Sequence, residues 1–162
     1  MTCSLTNISR AALVVSCVLT VFVAQHRVRA QPAPAKEEAE GIVFERQQIM
    51  LQLEKDSQAL GEMAAGLRKP DKLAETAHAI AQGAKDSLAA FEPNVPGGRS
   101  KPEVWSNGTD FRQRMEAFAA NADKMSKIAE TGNLTGVVEV MAEALPCKQC
   151  HDVYRSPKKA PT

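Results

Sequence analysis

Two cysteines and a histidine near the C-terminus have the types and the spacing of a haem attachment site. Cys147 and Cys150 are three residues apart, and His151 follows directly. Two thiols at this spacing can add to the two vinyl groups of haem while the adjacent imidazole reaches the iron. On a helix these positions share one face. The motif therefore predicts haem c, one per chain and covalently attached, with His151 as an axial ligand of the iron.

A C-x-x-C pair can also be a thiol redox motif or half of a zinc site. Zinc needs further Cys or His ligands, and the only other histidine after the first thirty residues is His78. A thioredoxin-like motif needs a βαβ context, and no stretch alternates apolar and polar residues as a strand would. His78 lies off the apolar row of its own predicted helix, so we interpret it as a surface histidine rather than a haem ligand.

Residues 1–30 are interpreted as a secretory signal peptide. Arg10 precedes an apolar run over residues 11–24, and small residues before Gln31 predict cleavage at that point. The run is too short to span a bilayer comfortably, so we expect no membrane span after the signal is removed. An uncleaved N-terminal anchor is the alternative. The predicted location of the mature protein is the periplasm.

Removal of the signal peptide changes the composition. Cys3 and Cys17 leave with it, so Cys147 and Cys150 are the only mature thiols and no disulfide framework is implied. The full chain has 20 Lys and Arg against 19 Asp and Glu, and the signal holds three of the arginines and none of the acids. The mature balance is therefore slightly negative, which disfavours nucleic acid as a partner. The remaining length suits one domain.

The mature chain shows helical periodicity after a short linker over residues 31–36. Apolar residues recur every three or four positions in four segments, which predicts an all-α fold, an antiparallel four-helix bundle over residues 37–157, with a frayed tail over 158–162. The four rows are Ile42, Ile49 or Met50, Leu53, Leu60, Met63 or Ala64, Leu67; Leu73, Ala77, Ile80, Ala84, Leu88; Phe111, Met115, Phe118, Ala122, Met125, Ala129; and Leu134, Val137 or Val138, Met141, Leu145.

Proline, glycine and capping residues predict where the helices begin and end. Pro70 predicts the start of the second helix, and the residues over 91–98 predict the one long loop. Side chains able to accept a hydrogen bond from the first turn predict the later helix starts. These are Ser100 with Glu103, Thr109 or Asp110, and Asn133.

Two residues do not fit the apolar rows of the predicted helices in which they lie. Arg46 falls on the first apolar row, one turn before Met50, where a plain core would have an aliphatic side chain. Pro146 falls in the fourth row, where a helix would lose a hydrogen bond and the ring would clash with the carbonyl of Ala142. We expect a kink there, or two helical segments.

Together these features resemble the class II cytochromes c, which are cytochrome c′ and its low-spin relatives. The resemblance covers nearly all of the mature chain. Its most specific part is Cys147–Arg155, and it is supported by the stretches Lys101–Trp105 and Arg46–Met50. Proline directly before the first haem cysteine departs from the family pattern, and it affects the local helix geometry more than the attachment.

The resemblance implies roles for four further residues. Arg46 and Gln47 correspond to family positions near the haem propionates, and Met50 to the distal position, which faces the iron opposite His151. Arg155 corresponds to a residue beside the proximal imidazole. Each also has a plainer interpretation, with Arg46 as a snorkelling surface residue, Met50 as core filling and Arg155 as a cation at a helix C-terminus.

The residue at the distal position separates two functions. Family members with an aliphatic or aromatic residue there keep a five-coordinate iron and bind nitric oxide or carbon monoxide, whereas low-spin members use a methionine as sixth ligand and resemble electron carriers. Because a thioether favours the reduced iron and closes the open site, the sequence favours a one-electron carrier ligated by His151 and Met50. The alternative is a five-coordinate cytochrome c′ that binds nitric oxide or carbon monoxide.

A carrier of this kind would catalyse no reaction of its own and would exchange electrons with a redox protein. Family members often form homodimers through their first two helices, so the resemblance leaves a homodimer open. A third function, a helical interaction module without haem, would require the C-x-x-C-H motif to be accidental.

Overall fold

A computed structural model describes residues 35–158, which form six α-helices. The predicted signal peptide, residues 31–34 of the predicted linker and residues 159–162 of the predicted tail lie outside the described residues. The helices are α1 (Lys36–Ala64), α2 (Leu73–Ala90), α3 (Glu103–Ser106), α4 (Gly108–Ala129), α5 (Leu134–Ala144) and α6 (Cys147–Tyr154). The long helices α1, α2 and α4, with α5 and α6 as the fourth unit, form the predicted four-helix bundle, and the all-α fold class is confirmed.

Neighbouring helices of the bundle are antiparallel. Leu53 of α1 lies against Gly83 of α2, and Arg46, two turns earlier in α1, reaches Ala90 at the end of α2. Helices α2 and α4 are also antiparallel, and so are α4 and α5. The pairs that meet are His78 with Ser126, Lys85 with Asp123, Phe91 with Phe111, and Asn121 with Glu143.

Helix α1 ends, and helix α2 begins, near the predicted positions. Glu37 and Glu38 stand in the first turn of α1, where the helix dipole favours negative charge. Gly66 follows the helix with φ of 71°, a left-handed conformation that glycine adopts without strain. Pro70 opens a 3₁₀ turn over Pro70–Lys72, and α2 then begins at Leu73.

The start of the third predicted helix differs from the sequence expectation. A separate helical turn carrying Trp105 was expected, and α3 is such a helix of four residues, but the Ser100 and Glu103 pair makes no capping bond. Helix α4 begins at Gly108, before either predicted cap. The physical reason is that the Asp110 carboxylate accepts hydrogen bonds from Arg114 and from Tyr154, so it does not cap the helix.

The fourth predicted helix is two segments, which confirms one of the two expected effects of Pro146. Helix α5 ends at Ala144, and α6 begins at Cys147 with Pro146 as its N-cap residue. The predicted cap of α5 is also confirmed, because the Asn133 side chain accepts a hydrogen bond of 2.9 Å from the Gly136 amide.

Two hydrophobic clusters position the C-terminal helix. The principal core joins α1, α2, α4 and α5 and contains most of the predicted apolar rows. The second cluster joins α6 to α3 and α4; it is built on Val104, Phe111, Met115 and Tyr154, with Leu88, Phe91, Trp105 and Cys150 packed against it. No helix between residues 35 and 158 is long and apolar enough to cross a membrane.

Candidate functional site

Helix α6 brings the two thiols and the imidazole of the motif together. The amide of Cys150 donates a 3.2 Å hydrogen bond to the carbonyl of Pro146, so the break at the proline starts the helix directly before Cys147. Both thiols are free; Cys147 is exposed, and Cys150 and His151 are half-buried. The predicted arrangement of these three side chains on one short helix is therefore present.

The surroundings shift the pKa values of all three groups of the motif. Partial desolvation raises the pKa of both the Cys147 and the Cys150 thiol. Burial also lowers the pKa of His151, and the nearby cations Arg155 and Arg99 lower it further. A neutral imidazole has the free lone pair that a metal ligand needs.

Arg155 lies beside the His151 ring, as the resemblance implied. Its guanidinium nitrogen is 3.3 Å from His151 Nδ1. A guanidinium can only donate, so this contact is a hydrogen bond only when Nδ1 carries no proton. An imidazole that gave its Nε2 lone pair to iron would hold its proton on Nδ1, and Arg155 would then be a cation beside the ring without a hydrogen bond.

Two basic residues fasten the C-terminal end of α6. The backbone of Lys101 donates to the carbonyl of Tyr154 at 2.9 Å, and its ammonium donates to the carbonyls of Asp152 and Val153 at 3.1 and 3.0 Å. The Arg99 guanidinium donates to the carbonyl of Ser156 at 2.9 and 2.6 Å. These contacts satisfy carbonyls that a helix end leaves without partners. Sequence reasoning missed both roles, although Lys101 lies in a stretch that carried the resemblance.

Tyr154 fastens the opposite side of α6 to α4. Its hydroxyl donates to the Asp110 carboxylate and accepts a 3.1 Å hydrogen bond from Asn107, and Arg114 donates to the same carboxylate at 2.6 Å. The hydrogen bonds from Arg114 and Tyr154 lower the pKa of Asp110. Helix α6 is therefore held at a fixed position relative to α4. In the sequence, Tyr154 stood out through the motif that contains it and Asp110 only as a predicted helix cap, so this cluster was not predicted.

Arg46 is buried, with 4% of its surface exposed. Its three guanidinium nitrogens donate to the carbonyls of Ala90, Val95 and Pro93 at 2.8, 2.6 and 2.8 Å. The guanidinium carbon also lies 4.5 Å from the centre of the Phe91 ring. Burial lowers the pKa of this side chain. The charge on the apolar row thus ties α1 to the loop after α2, and the snorkelling interpretation is wrong. The propionate role stays a prediction.

Met50 and Gln47 lie on α1. Met50 is half-buried and packs against the principal core, and Gln47 is exposed beside Gly98. Glu54, one turn after Met50, acts on His151 as a counter-charge and opposes the lowering of its pKa. The ligand role of Met50 and the propionate role of Gln47 stay predictions.

Comparison with protein families identifies the family to which this fold and motif belong. The family described as "Cytochrome C'" matches residues 41–155, which include most of α1, all of α2 to α6 and the C-x-x-C-H motif. The chain belongs to the cytochrome c′ family. Members of this family carry covalently attached haem c, so the chain is a haem c protein and the predicted cofactor is confirmed.

Curated relatives include both predicted branches of the class II cytochromes c. Cytochrome c′ from Alcaligenes xylosoxydans xylosoxydans is 39% identical over 71 residues, 43% of this chain and 56% of that protein. Cytochrome c′ from Rubrivivax gelatinosus is 33% identical over 72 residues and is also matched over 56% of its length. The chain thus spans about half the length of these two relatives. Cytochrome c-556 from Agrobacterium tumefaciens is 27% identical over 125 residues, 73% of this chain and 99% of that protein.

Solved structures of cytochrome c′ share the fold. A nitric oxide complex of a mutant cytochrome c prime from Alcaligenes xylosoxidans has a TM-score of 0.68 and 27% sequence identity, and covers 74% of this chain and 97% of that chain. A ferrous variant of the same protein has a TM-score of 0.68 and 26% identity, with the same coverage.

The residues around α6 fit haem c. Free thiols and a neutral imidazole share one helix, and the buried indole Nε1 of Trp105 has no hydrogen-bond partner between residues 35 and 158. Within the same part of the chain, no group of three or more His, Cys, Asp or Glu side chains is placed to hold a metal ion. His78, as predicted, is exposed, and it contacts Ser126 on α4 rather than the motif.

Proposed function

We propose that this chain is an exported cytochrome c′ that binds nitric oxide or carbon monoxide on the face of the haem opposite His151. The observation that carries the proposal is the match to 97% of cytochrome c prime from Alcaligenes xylosoxidans, whose solved structures include nitric oxide complexes. Bound haem c supplies an iron that changes oxidation state by one electron and takes an axial ligand on each face. The export step rests on the signal peptide predicted over residues 1–30.

The residues of α6 hold the group in this proposal. Cys147 and Cys150 would hold the haem through two thioether bonds, and His151 would ligate the iron with a neutral imidazole. Arg155 keeps a positive charge beside that imidazole, which disfavours its protonation and its release from the iron. The fastening of α6 by Lys101 and Tyr154 supports a fixed imidazole position relative to the bundle.

Met50 acts in this proposal as an apolar wall of the distal pocket. Its side chain is half-buried and packs against the principal core, as a residue used for packing would. A wall of this kind leaves the second axial position to a small uncharged ligand and excludes larger or charged ones.

A one-electron carrier ligated by His151 and Met50 is the second candidate. One observation favours it: cytochrome c-556 aligns over 99% of its length with this chain. In either function the protein catalyses no reaction of its own. A redox protein as partner and a homodimer stay predictions.

Carbon monoxide binding to the reduced, haem-loaded protein distinguishes the two candidates. Stopped-flow mixing should be compared for the parent, Met50→Leu, which removes the sulfur and keeps the volume, and Met50→Ala, which removes the wall. Met63→Leu is the matched control, because Met63 lies on the same helix and is buried in the core at 2% exposure.

The proposal expects the parent to bind carbon monoxide, Met50→Leu to bind at a rate within a few-fold of the parent, and Met50→Ala to bind faster. Met63→Leu should match the parent. A parent that fails to bind, together with a Met50→Leu variant that binds readily, would assign Met50 to the iron and overturn the gas-binding proposal in favour of the carrier.

A further inference from the structure

The side chain of Trp105 contains a buried donor that nothing in the described chain satisfies. Its indole Nε1 has no partner among residues 35–158. An indole N–H can donate but cannot accept, and leaving a buried donor unpaired costs free energy. The unpaired atom therefore indicates an acceptor supplied by something other than these residues.

Arg46 provides a second, independent observation at the same place. The guanidinium carbon lies 5.8 Å from the centre of the Trp105 ring. All three guanidinium nitrogens donate to backbone carbonyls, which are uncharged. No Asp or Glu in the described part of the chain forms an ion pair with Arg46. Glu45 acts on the guanidinium only through space, so this buried cation has no carboxylate in contact with it, which favours a further anion nearby.

An unpaired N–H donor beside a buried cation fits a carboxylate. On the rim of haem c, the only hydrogen-bond acceptors are the two propionates, and both are anionic at neutral pH. The Trp105 N–H, with the Arg46 guanidinium beside it, is therefore suited to a propionate.

We propose that the Trp105 indole N–H donates a hydrogen bond to one haem propionate, and that Arg46 compensates the charge of that propionate through space. The inference rests on the haem attachment in the proposed function, but not on which ligand occupies the distal face. The family resemblance already implies that Arg46 lies near the propionates, and the hydrogen bond from Trp105 is what this inference adds.

The single tryptophan of the chain makes this contact directly measurable. In ¹⁵N-labelled, haem-loaded, ferrous protein under carbon monoxide, only one indole N–H signal exists. The iron is diamagnetic in that sample whether carbon monoxide or Met50 occupies the sixth position. Expected are nuclear Overhauser effects from the indole proton to propionate methylene protons, and hydrogen exchange at least about tenfold slower than in denatured protein.

Trp105→Phe removes the N–H and keeps an aromatic ring. It should lower the haem reduction potential, because the propionate loses a donor that spreads its negative charge. Phe91→Leu is the control, since it changes the other aromatic ring beside Arg46 and leaves the Trp105 N–H in place. In this variant the Trp105 indole proton should still show Overhauser effects to the propionate methylene protons.

An indole proton with no Overhauser effect to either propionate would overturn the inference, as would a Trp105→Phe potential equal to that of the parent. If Trp105→Phe fails to fold, the spectrum of the parent decides alone. A protein without covalent haem would instead refute the proposed function, so the two failures are distinguishable.

Discussion

Arg46 is a buried cation whose role depends on partners far away in the chain. It was recognisable in the sequence because a charge stands on an apolar row. Its acceptors are the carbonyls of Ala90, Pro93 and Val95, which lie 44 to 49 residues later. Backbone carbonyls have no sequence signature, so the partners could not be predicted.

Replacement of this guanidinium tests its structural role. Arg46→Lys keeps the charge but cannot donate to three carbonyls in a planar fork. Unfolding of the haem-loaded protein by urea should show a loss of about 2–4 kcal/mol in the free energy of unfolding, because buried carbonyls lose their donors. The control Arg112→Lys, at an exposed 3.8 Å ion pair with Glu92, should change it by less than about 0.5 kcal/mol. Equal losses in both variants would contradict the role of Arg46.

At the scale of helices, a glycine sets how closely α1 and α2 pack. A Cβ added at Gly83 would lie 2.8 Å from Leu53 Cδ2, whereas one added at Gly61 would meet nothing within 4 Å. Leu53 is a core residue with 7% of its surface exposed, so the methyl group it would meet has little room to move. Close packing therefore depends on the missing side chain at position 83.

Two glycine-to-alanine variants test this packing against helix propensity. Gly83→Ala should destabilise the protein by roughly 1 kcal/mol or more through overpacking. Gly61→Ala should stabilise it by about 0.5–1 kcal/mol, because alanine is the better helix former. Thermal unfolding of the haem-loaded protein measures both. Similar stabilisation by the two substitutions would show that the Leu53 side chain can move away from a Cβ at position 83, and would contradict this claim.

Asp123 links α2 to α4 through a charge pair. Its carboxylate lies 2.8 Å from Lys127 on its own helix and 2.8 Å from Lys85 on α2. Hydrogen bonds from Lys127 and Lys85 lower the pKa of Asp123 from 3.8 to about 2. Because the folded pKa is the lower one, this contribution to stability is present above pH 3.8 and is lost as the pH falls towards about 2.

The unfolding temperature of Asp123→Asn should therefore fall less steeply than that of the parent across this acid range. Salt should weaken the difference, since the pair is partly exposed. Asp86→Asn is the control, because the Asp86 carboxylate accepts only from Gln82; its curve should run parallel to that of the parent. An Asp123→Asn curve parallel to the parent would contradict the contribution of the pair.

Periodicity predicted the long helices well and the connections poorly. The rows through Leu53, Ile80 and Met125 are buried as expected, because burial of one face imposes the helical repeat. The division of the fourth helix followed from Pro146, whose ring has a fixed local effect. The separate short helix α3 was expected from the residues around Trp105 and the break at Asn107 and Gly108, whereas the true start of α4 is not marked by the predicted caps, because Asp110 is engaged in tertiary contacts that no local pattern contains.

For the whole molecule, the C-terminal motif predicted the cofactor, and tertiary structure supplied its surroundings. The attachment motif needs only local spacing, so it was recognisable at once. The residues that fasten α6 come from distant parts of the chain; Arg99 and Lys101 hold one end, and Asn107 and Asp110 hold Tyr154. Such contacts are set by how the helices pack, and for this reason the sequence did not predict them.

Loss of the attachment should affect the entire bundle. The double variant Cys147→Ser with Cys150→Ser should lose haem staining on a denaturing gel, because no thioether can form. It should also unfold less cooperatively by circular dichroism, since we expect haem to fill space that the helices surround. A haem-free variant as compact and as stable as the parent would show that the bundle does not depend on the haem.

The spin state of the iron in the purified protein tests the central claim most directly. Electron paramagnetic resonance and absorption spectra of the ferric protein at neutral pH report whether the second axial position is open. A cytochrome c′ with Met50 as a wall of the distal pocket predicts a high-spin, five-coordinate spectrum. A low-spin spectrum with a sulfur-to-iron charge-transfer band would contradict it and would identify Met50 as the sixth ligand of an electron carrier.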